Sequence, residues 1–272
     1  MLGTWKNAID ALNQGGSCLV EADGSGAQFP VWATSNPADI KKVDVAFVLV
    51  KSWQTRRVAQ QIYESLPGYF PVVTLQNGLG NREILAEKLG YHRVLLGSTT
   101  AGATLLEPGM VRAAGDGITS LEQNHHSTEI SSLLQQAGML VEIIQDADSI
   151  MWTKLVINSA INPLSALLRV PNGRLLDNPS ARQVMSALAM ETTSVAGALG
   201  VHLPFVDPIQ FVEEAAMKTA ANYSSMLQDV RRGARTEIDA ICGAITRLGN
   251  QYGRPVPHNW MMWQLLLALE SK

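Results

Sequence analysis

A change of pattern near residue 145 constrains the fold of this chain most strongly. Before that point short β-branched segments alternate with helical segments, and after it only long segments with three-to-four-residue apolar spacing remain. Strands that alternate with helices indicate a sheet covered by helices, whereas the later spacing indicates helices alone. The sequence therefore predicts an α/β domain over residues 1–147 and an all-helical domain over residues 148–272.

Strand-length segments bounded by Gly, Pro, Asn or Asp define the sheet of the first domain. The predicted strands are 17–21, 30–34, 43–50, 72–75, 94–97 and 140–144. The predicted helices of this domain are 5–13, 53–66, 82–88 and 127–136. The third strand is a continuous apolar run, which is typical of a strand buried on both faces of a parallel sheet.

The second domain is predicted to contain five helices. They are 150–168, 181–199, 207–220, 229–251 and 258–269. Pro163 is expected to kink or end the first of them, because proline has no backbone N–H. Pro171-Asn172-Gly173 has the composition of a turn.

Composition and charge favour a small-molecule or protein partner. A net charge of −3 on 272 residues gives no global attraction for nucleic acid or an anionic membrane. Cys18 and Cys242 lie far apart without metal-type spacing, which favours reduced thiols in a cytoplasmic protein. The first residues do not resemble a secretory signal, and no apolar run approaches the ~18 residues of a membrane span.

An α/β half followed by a helical half suggests a dinucleotide-binding dehydrogenase, which requires a glycine-rich G-x-G-x-x-G loop for the pyrophosphate. Gly24-Ser25-Gly26 lacks the third glycine and is predicted to be a hairpin turn. Gly78-Leu79-Gly80 follows a strand, but Glu83 occupies the third position, where a carboxylate would oppose the phosphates. We therefore expect a Rossmann-like domain that is N-terminally incomplete, without its first strand, loop and helix.

Three polar side chains recur on one face of the first helix of the second domain. At about 100° per residue, Asn158 and Asn162 lie about 40° and about 80° from Lys154. The stripe indicates either a solvated edge with a snorkelling lysine or a lysine in a cleft that donates a proton to a carbonyl oxygen.

Two further groups of polar residues are candidates for a site. Lys51-Ser52 and Gln76-Asn77-Gly78 follow predicted strands, at the end of a sheet where ligands bind. A helix cap at Ser52 and a plain Asn-Gly turn are the alternatives. The second group runs from Asn222 to Asp239.

In that second group, Ser225 or Asp229 would cap the following helix under a purely structural interpretation. The arginines and acids there are otherwise typical of a solvated charged face. Glu237, with apolar neighbours, is a candidate for facing a cleft between the domains.

Together these motifs resemble the ketopantoate reductase (2-dehydropantoate 2-reductase) family, from about residue 2 to the C-terminus. The motifs are VKSWQT, QNGLGN, the K-x-x-x-N-x-x-x-N of 154–162, and SSMLQD followed by RTEID. The resemblance implies a Rossmann domain, a helical C-terminal domain and reduction of 2-dehydropantoate to pantoate by NADPH, in pantothenate and coenzyme A synthesis.

The resemblance also implies roles for individual residues. Lys154 corresponds to the general acid and Glu237 to a substrate-binding carboxylate in the catalytic centre. Ser225 would bind the substrate carboxylate. The remaining substrate-binding residues would be Asn77, Asn158, Asn162 and Asn222. A catalytic lysine needs a lowered pKa, and burial and Glu237 act in opposite directions on it, so the outcome is open at this point.

The cofactor-binding residues implied by the resemblance are Lys6, Lys51 and Asn77. Lys51 and Asn77 would lie beside the nicotinamide ribose. The family commonly has an arginine after the second strand for the 2′-phosphate of NADP, and this chain has Thr4-Trp5-Lys6 there. Lys6 would serve as a point charge.

Two alternatives and one assembly expectation accompany this interpretation. The chain would otherwise be a reductase of another 2-oxo acid, or a non-catalytic binding protein that has lost its phosphate loop. An incomplete sheet would expose an unpaired edge, which predicts poor solubility or self-association and leaves a homodimer open.

Overall fold

The computed structural model describes residues 1–21, 23–113 and 117–270, which form two compact units. The α/β unit consists of Met1–Leu49, Thr55–Leu75 and Arg82–Gln145, and the helical unit of Val50–Gln54, Gln76–Asn81 and Asp146–Lys272. Two short segments that follow strands of the α/β unit therefore belong to the helical unit.

The strands of the α/β unit form two sheets. In chain order they are β1 (Ser17–Val20), β2 (Gly26–Phe29), β3 (Ala46–Val48), β4 (Val72–Thr74), β5 (Val94–Thr99), β6 (Ala103–Glu107), β7 (Met110–Ala113), β8 (Ile118–Glu122) and β9 (Leu140–Ile144). The larger sheet has the order β3-β4-β5-β8-β9, with β3, β4 and β5 parallel. The smaller has the order β2-β1-β7-β6.

Four helices accompany these strands. They are α1 (Lys6–Gly15), α2 (Thr55–Ser65), α3 (Asn81–Leu89) and α4 (Ser127–Gln136). Val73 of β4, Leu95 of β5 and Leu121 of β8 are fully buried and form a core with Ile130 and Leu134 of α4. Burial of the central strands by helices is the arrangement that the alternating pattern predicts, and the α/β prediction is confirmed.

Two of the predicted strands are wrong in part. The predicted strand 30–34 is absent, and β1 instead pairs with β2, which ends just before Pro30 because proline cannot donate to the ladder. The turn between β1 and β2 is the predicted hairpin, with Gly24 at φ 85°. The strand predicted at 43–50 is reduced to β3, an edge strand in which only Val48 is buried. An edge position explains the lower burial.

Besides β2, three of the described strands were not predicted. β6 and β7 form a hairpin, and β8 joins the larger sheet antiparallel to β5. The Pro108-Gly109 pair between β6 and β7, with Gly109 at φ 81°, is a turn signal that would have found this hairpin.

Between residues 147 and 270 the helical unit contains helices and no strand, as predicted. Its helices are α5 (Ala147–Leu168), α6 (Arg174–Asp177), α7 (Pro179–Ala198), α8 (Pro208–Lys218), α9 (Ser225–Arg231), α10 (Ala244–Gln251) and α11 (Pro257–Glu270), with a π-helical turn at Asp239–Gly243. The Asp146 side chain caps α5 by accepting the Ser149 N–H at 2.9 Å. The α5 helix packs against α7, α8, α9 and α11, and Val156, Ala160 and Leu164 lie in the shared core.

The α5 helix ends at Leu168, as predicted, and continues through Pro163, so the expectation that this proline ends the helix is wrong. Residues 159–166 are all buried, and their packing offsets the lost hydrogen bond. The helix predicted at 229–251 is broken after α9, where Gly233 adopts φ 63°. The Ala234 N–H then donates to the Asp229 carbonyl, which is the helix-ending arrangement that a left-handed glycine permits. In the part of the chain that the structure describes, no helix combines the length and apolarity of a membrane span.

Candidate active site

Two segments of the helical unit follow strands of the larger sheet directly. Residues 50–54 come after β3, and residues 76–81 come after β4. The Gln76 side-chain amide donates to the Val50 carbonyl at 2.7 Å and joins the two segments. Lys51 and Asn77 are thereby placed in the same unit as α5 and α9, although more than 60 residues separate them from those helices.

Gly78 fixes the second segment against the π-helical turn. The Leu79 N–H donates to the Ala240 carbonyl at 3.0 Å. A Cβ on Gly78, which adopts φ 81°, would lie 2.7 Å from that carbonyl oxygen and from the Ala240 Cβ. This glycine is therefore required for close packing.

Glu237 is a buried carboxylate at the centre of these segments. Its side chain is 7% exposed, and Oε1 accepts the Ser52 N–H at 3.0 Å. Oε2 accepts the Asn77 side-chain amide at 3.4 Å and lies 3.8 Å from the Lys51 Nζ. The structure therefore brings together three predicted site residues, Lys51, Asn77 and Glu237. Ser52 contributes its backbone N–H to this carboxylate.

Lys51 makes its shorter ion pair with a different acid. Its Nζ lies 2.6 Å from Oδ2 of Asp229, a carboxylate that is 2% exposed. The other Asp229 oxygen lies 2.7 Å from Arg232, the residue that directly follows α9. The interpretation of Asp229 as a helix cap is thus wrong, because Asp229 lies inside α9 and pairs with two cations.

Lys154 lies on α5 and is only partly exposed. Burial lowers the pKa of its ammonium from the ordinary value of 10.5 to about 8, while the Glu237 carboxylate acts in the opposite direction. Of the two opposing effects on the Lys154 pKa, burial is therefore larger than the attraction of Glu237. A lysine in this state holds a proton at neutral pH and releases it readily, which suits a proton donor.

Asn158 and Asn162 follow Lys154 on α5. Asn158 is partly buried, and Asn162 is 8% exposed. The Asn162 carbonyl accepts from the Ser165 hydroxyl at 3.2 Å. The burial of this stripe argues against a freely solvated helix edge.

The remaining predicted substrate residues are exposed on the helical unit. Asn222 lies in the loop before α9, and Ser225 is the first residue of α9. The cap of α9 is Ser224, not Ser225, because the Ser224 hydroxyl accepts the Leu227 N–H at 3.1 Å. The Ser225 hydroxyl therefore is not used as the helix cap.

Lys6 belongs to the α/β unit, where it is the first residue of α1 and is exposed. A dinucleotide needs donors for its ribose and open backbone N–H groups for its pyrophosphate. The cation and amide of Lys51 and Asn77, at the ends of parallel strands, fit the nicotinamide half. Gly24 lies in the hairpin turn after β1, and Gly78 packs against Ala240, so neither of these two glycines provides an open loop for the pyrophosphate.

Asp229 is the residue of this cluster to which sequence reasoning gave no role in the site. Its partner Lys51 is 178 positions away, so no local pattern reports the pairing. The sequence signal for Asp229 was its place as the acid that ends the SSMLQD motif. The structure adds that this acid is buried.

Two family profiles match most of this chain. Residues 1–126 match the profile of the family "ketopantoate reductase PanE/ApbA", and residues 146–270 match that of "ketopantoate reductase PanE/ApbA C terminal". A 2-dehydropantoate 2-reductase of Archaeoglobus fulgidus is 38% identical over 250 residues, which cover 90% of this chain and 82% of that protein.

Two solved structures share the fold. A PanE/ApbA family ketopantoate reductase from Ralstonia eutropha JMP134 has a TM-score of 0.91 at 31% identity, covering 98% of this chain and 89% of that one. D-mandelate dehydrogenase in a ternary structure with NADH and anilino(oxo)acetate has a TM-score of 0.90 at 23% identity, covering 99% and 90%.

Fold and relatives together define a dinucleotide-binding oxidoreductase with a Rossmann-like N-terminal domain and a helical C-terminal domain. Within that class, the chain belongs to the ketopantoate reductase family. The resemblance inferred from the sequence motifs is confirmed, and so is the predicted fold class.

Proposed function

We propose that this chain reduces 2-dehydropantoate to (R)-pantoate with NADPH, as a step of pantothenate and coenzyme A synthesis. The observation that carries the proposal is Lys154, a partly buried lysine near the Glu237 carboxylate with a pKa of about 8. The family and the relatives' names supply the substrate.

Reduction of a 2-oxo acid places negative charge on the carbonyl oxygen, and that oxygen must then receive a proton. A bound reduced nicotinamide supplies the hydride. The Lys154 ammonium stabilises the developing alkoxide electrostatically and donates the proton. Because its pKa is lowered to about 8, the transfer is easier than from an ordinary lysine.

Glu237 has two roles in this scheme. Its charge keeps the pKa of Lys154 from falling further, so that the ammonium stays protonated at neutral pH. Its hydrogen bonds to the Ser52 N–H and the Asn77 amide hold the two strand-end segments in position.

The other predicted substrate-binding residues are assigned to the rest of the substrate. Ser225, whose hydroxyl is exposed at the start of α9, binds the substrate carboxylate. Asn158 and Asn162 on α5, with Asn77 and Asn222, bind its carbonyl and hydroxyl groups. Amide side chains suit these neutral groups because they both donate and accept.

The cofactor is assigned to Lys51 and Asn77 at the ribose and to Lys6 at the 2′-phosphate. Lys6 is exposed and acts as a point charge, so we expect NADPH to be preferred over NADH. We assign residues 1–147 to the cofactor domain and 148–272 to the substrate domain. The two unpaired cysteines fit a reducing, cytoplasmic setting.

The test is the oxidation of NADPH by the full chain, followed by absorbance, with 2-dehydropantoate and with simpler 2-oxo acids. We expect turnover with 2-dehydropantoate that is faster than with the simpler acids and faster with NADPH than with NADH. A preference for another 2-oxo acid would replace the substrate. No turnover with any of them, although the protein is folded, would indicate a non-catalytic binding protein.

A further inference from the structure

We propose that Asp229 is a positioning residue whose carboxylate holds the Lys51 ammonium away from Glu237, so that Glu237 keeps its negative charge for Lys154. The proposal rests on the proposed function of Lys154 as proton donor. It adds the residue that controls how strongly the Glu237 charge acts on Lys154.

The geometry gives Lys51 two carboxylates at unequal distances. Its Nζ lies 2.6 Å from Asp229 and 3.8 Å from Glu237. Attraction between charges weakens with distance, and only the 2.6 Å separation is short enough for a hydrogen bond. The ammonium is therefore held by Asp229. Asp229 is 2% exposed, so water screens this pair little.

The remaining partners of Glu237 in the described contacts are neutral donors. The Ser52 N–H and the Asn77 amide hydrogen-bond to the carboxylate without cancelling its charge. Lys51 at 3.8 Å offsets part of the Glu237 charge, but less of it than a close pair would. The charge of Glu237 is the one that raises the pKa of Lys154 against the effect of burial. The other ionised groups of the cluster are Lys51, Asp229 and Arg232.

A merely structural role would not require Lys51. Arg232, which directly follows α9, already lies 2.7 Å from the other Asp229 oxygen and supplies a countercharge. The second oxygen is directed at a cation 178 residues away, on the segment that also holds the Ser52 N–H. By fixing the position of Lys51, Asp229 thus sets how much of the Glu237 charge Lys51 offsets.

Loss of Asp229 would release Lys51 toward Glu237. In Asp229→Asn the ammonium would form its close pair with Glu237 and cancel the charge that supports the protonated form of Lys154. We therefore expect the pKa of Lys154 to fall below about 8. The conservative Asp229→Glu keeps the carboxylate and is expected to restore the wild-type value.

The experiment is an NMR titration of the free protein carrying ¹³C-labelled lysine, with the Lys154 signal assigned by its loss in Lys154→Arg. The variants are Asp229→Asn, Asp229→Glu, Lys51→Met and the double variant Lys51→Met/Asp229→Asn. The matched control is Asp177→Asn, which breaks another pair between an aspartate and an arginine three positions away, on an exposed helix. It should leave the titration unchanged.

The double variant separates an effect through Lys51 from a direct effect of the Asp229 charge. If Asp229 acts through Lys51, the double variant has the same Lys154 pKa as Lys51→Met alone. A further fall in the double variant, or an unchanged pKa in a folded Asp229→Asn, would overturn the proposal. Should Asp229→Asn not fold, Lys51→Met must raise the Lys154 pKa, and a fall or no change would overturn it.

The titration needs neither substrate nor cofactor, so it is independent of turnover. A shifted Lys154 in a chain without reductase activity would contradict the proposed function and leave the role of Asp229 standing. Turnover in a chain whose Lys154 pKa is unshifted in Asp229→Asn would support the proposed function and contradict the role of Asp229. In an active chain, the upper limit of the pH range for kcat/KM should move with the titration.

Discussion

Gly78 and Ala240 are in such close contact that no side chain larger than hydrogen is accommodated at position 78. A Cβ there would lie 2.7 Å from the Ala240 Cβ, and the backbone adopts φ 81°. This contact joins a strand-end segment to the π-helical turn that follows Glu237. The position of Asn77 therefore depends on a glycine one residue away.

Gly78→Ala is expected to destabilise the protein by about 3 kcal/mol, from the cost of a left-handed backbone and of overpacking. Gly80→Ala is the matched control, because Gly80 also has a positive φ of 89° but no atom near its Cβ position. It should cost about 1 kcal/mol. Urea unfolding measures both, and equal losses would contradict the packing argument.

Lys154→Ala should lower kcat by at least about a hundredfold, because general acid catalysis contributes about 10²–10⁴. The fold should be retained, since the change removes a partly buried charge. Steady-state NADPH oxidation measures the rate, with Lys218→Ala as control at an exposed position of α8. Near-normal turnover of the Lys154 variant would exclude it as the acid.

The activity should fall with rising pH earlier than an ordinary lysine would allow. The acid must be protonated, so kcat/KM is expected to decrease as pH rises through about 8. In Glu237→Gln the pKa of Lys154 loses the contribution that raises it, and the decrease should begin at lower pH. Glu213→Gln, at a surface pair with Arg182, is the control. Identical profiles for Glu237→Gln and the wild type would contradict this coupling.

Stability should depend on pH through the same group. The pKa of Lys154 is about 8 in the folded chain and near the ordinary 10.5 when unfolded, so between these values the unfolded state binds more protons. The free energy of unfolding should therefore rise with pH in this window. Relative to Lys154→Met, the gain is on the order of 2 kcal/mol after allowance for partial exposure.

Urea unfolding of both proteins at pH 7.5 and pH 10.5 measures that gain, because contributions of the other titrating groups cancel in the difference. A constant difference would mean that Lys154 titrates alike in the folded and unfolded states.

Local pattern predicted the parts of the fold that depend on local interactions. The helix predicted at 127–136 has the bounds of α4, and the helical unit follows from apolar spacing. β3 was predicted too long because its edge position depends on strands far along the chain. The break after α9 depends on the positive φ of Gly233, and apolar spacing alone does not predict that backbone angle.

The candidate site was predictable where its residues follow strands or lie on a patterned helix. Lys51 and Asn77 were named from positions after strands and Glu237 from its apolar neighbours, and the structure places Glu237 in contact with both. Asp229 was not, because its role depends on an ion pair between distant positions. The pKa of Lys154 also required the structure, since it is set by the balance of burial against one carboxylate.

The chain passes from one compact unit to the other five times, because residues 50–54 and 76–81 belong to the helical unit. A crossover between related genes near codon 146 would therefore combine a foreign Lys51 and Asn77 with the resident Glu237 and Asp229. Natural exchange of the C-terminal part alone should be tolerated only between genes that agree at these two short segments. The site residues lie in one compact unit of the folded chain, but the codons for them are spread over most of the gene.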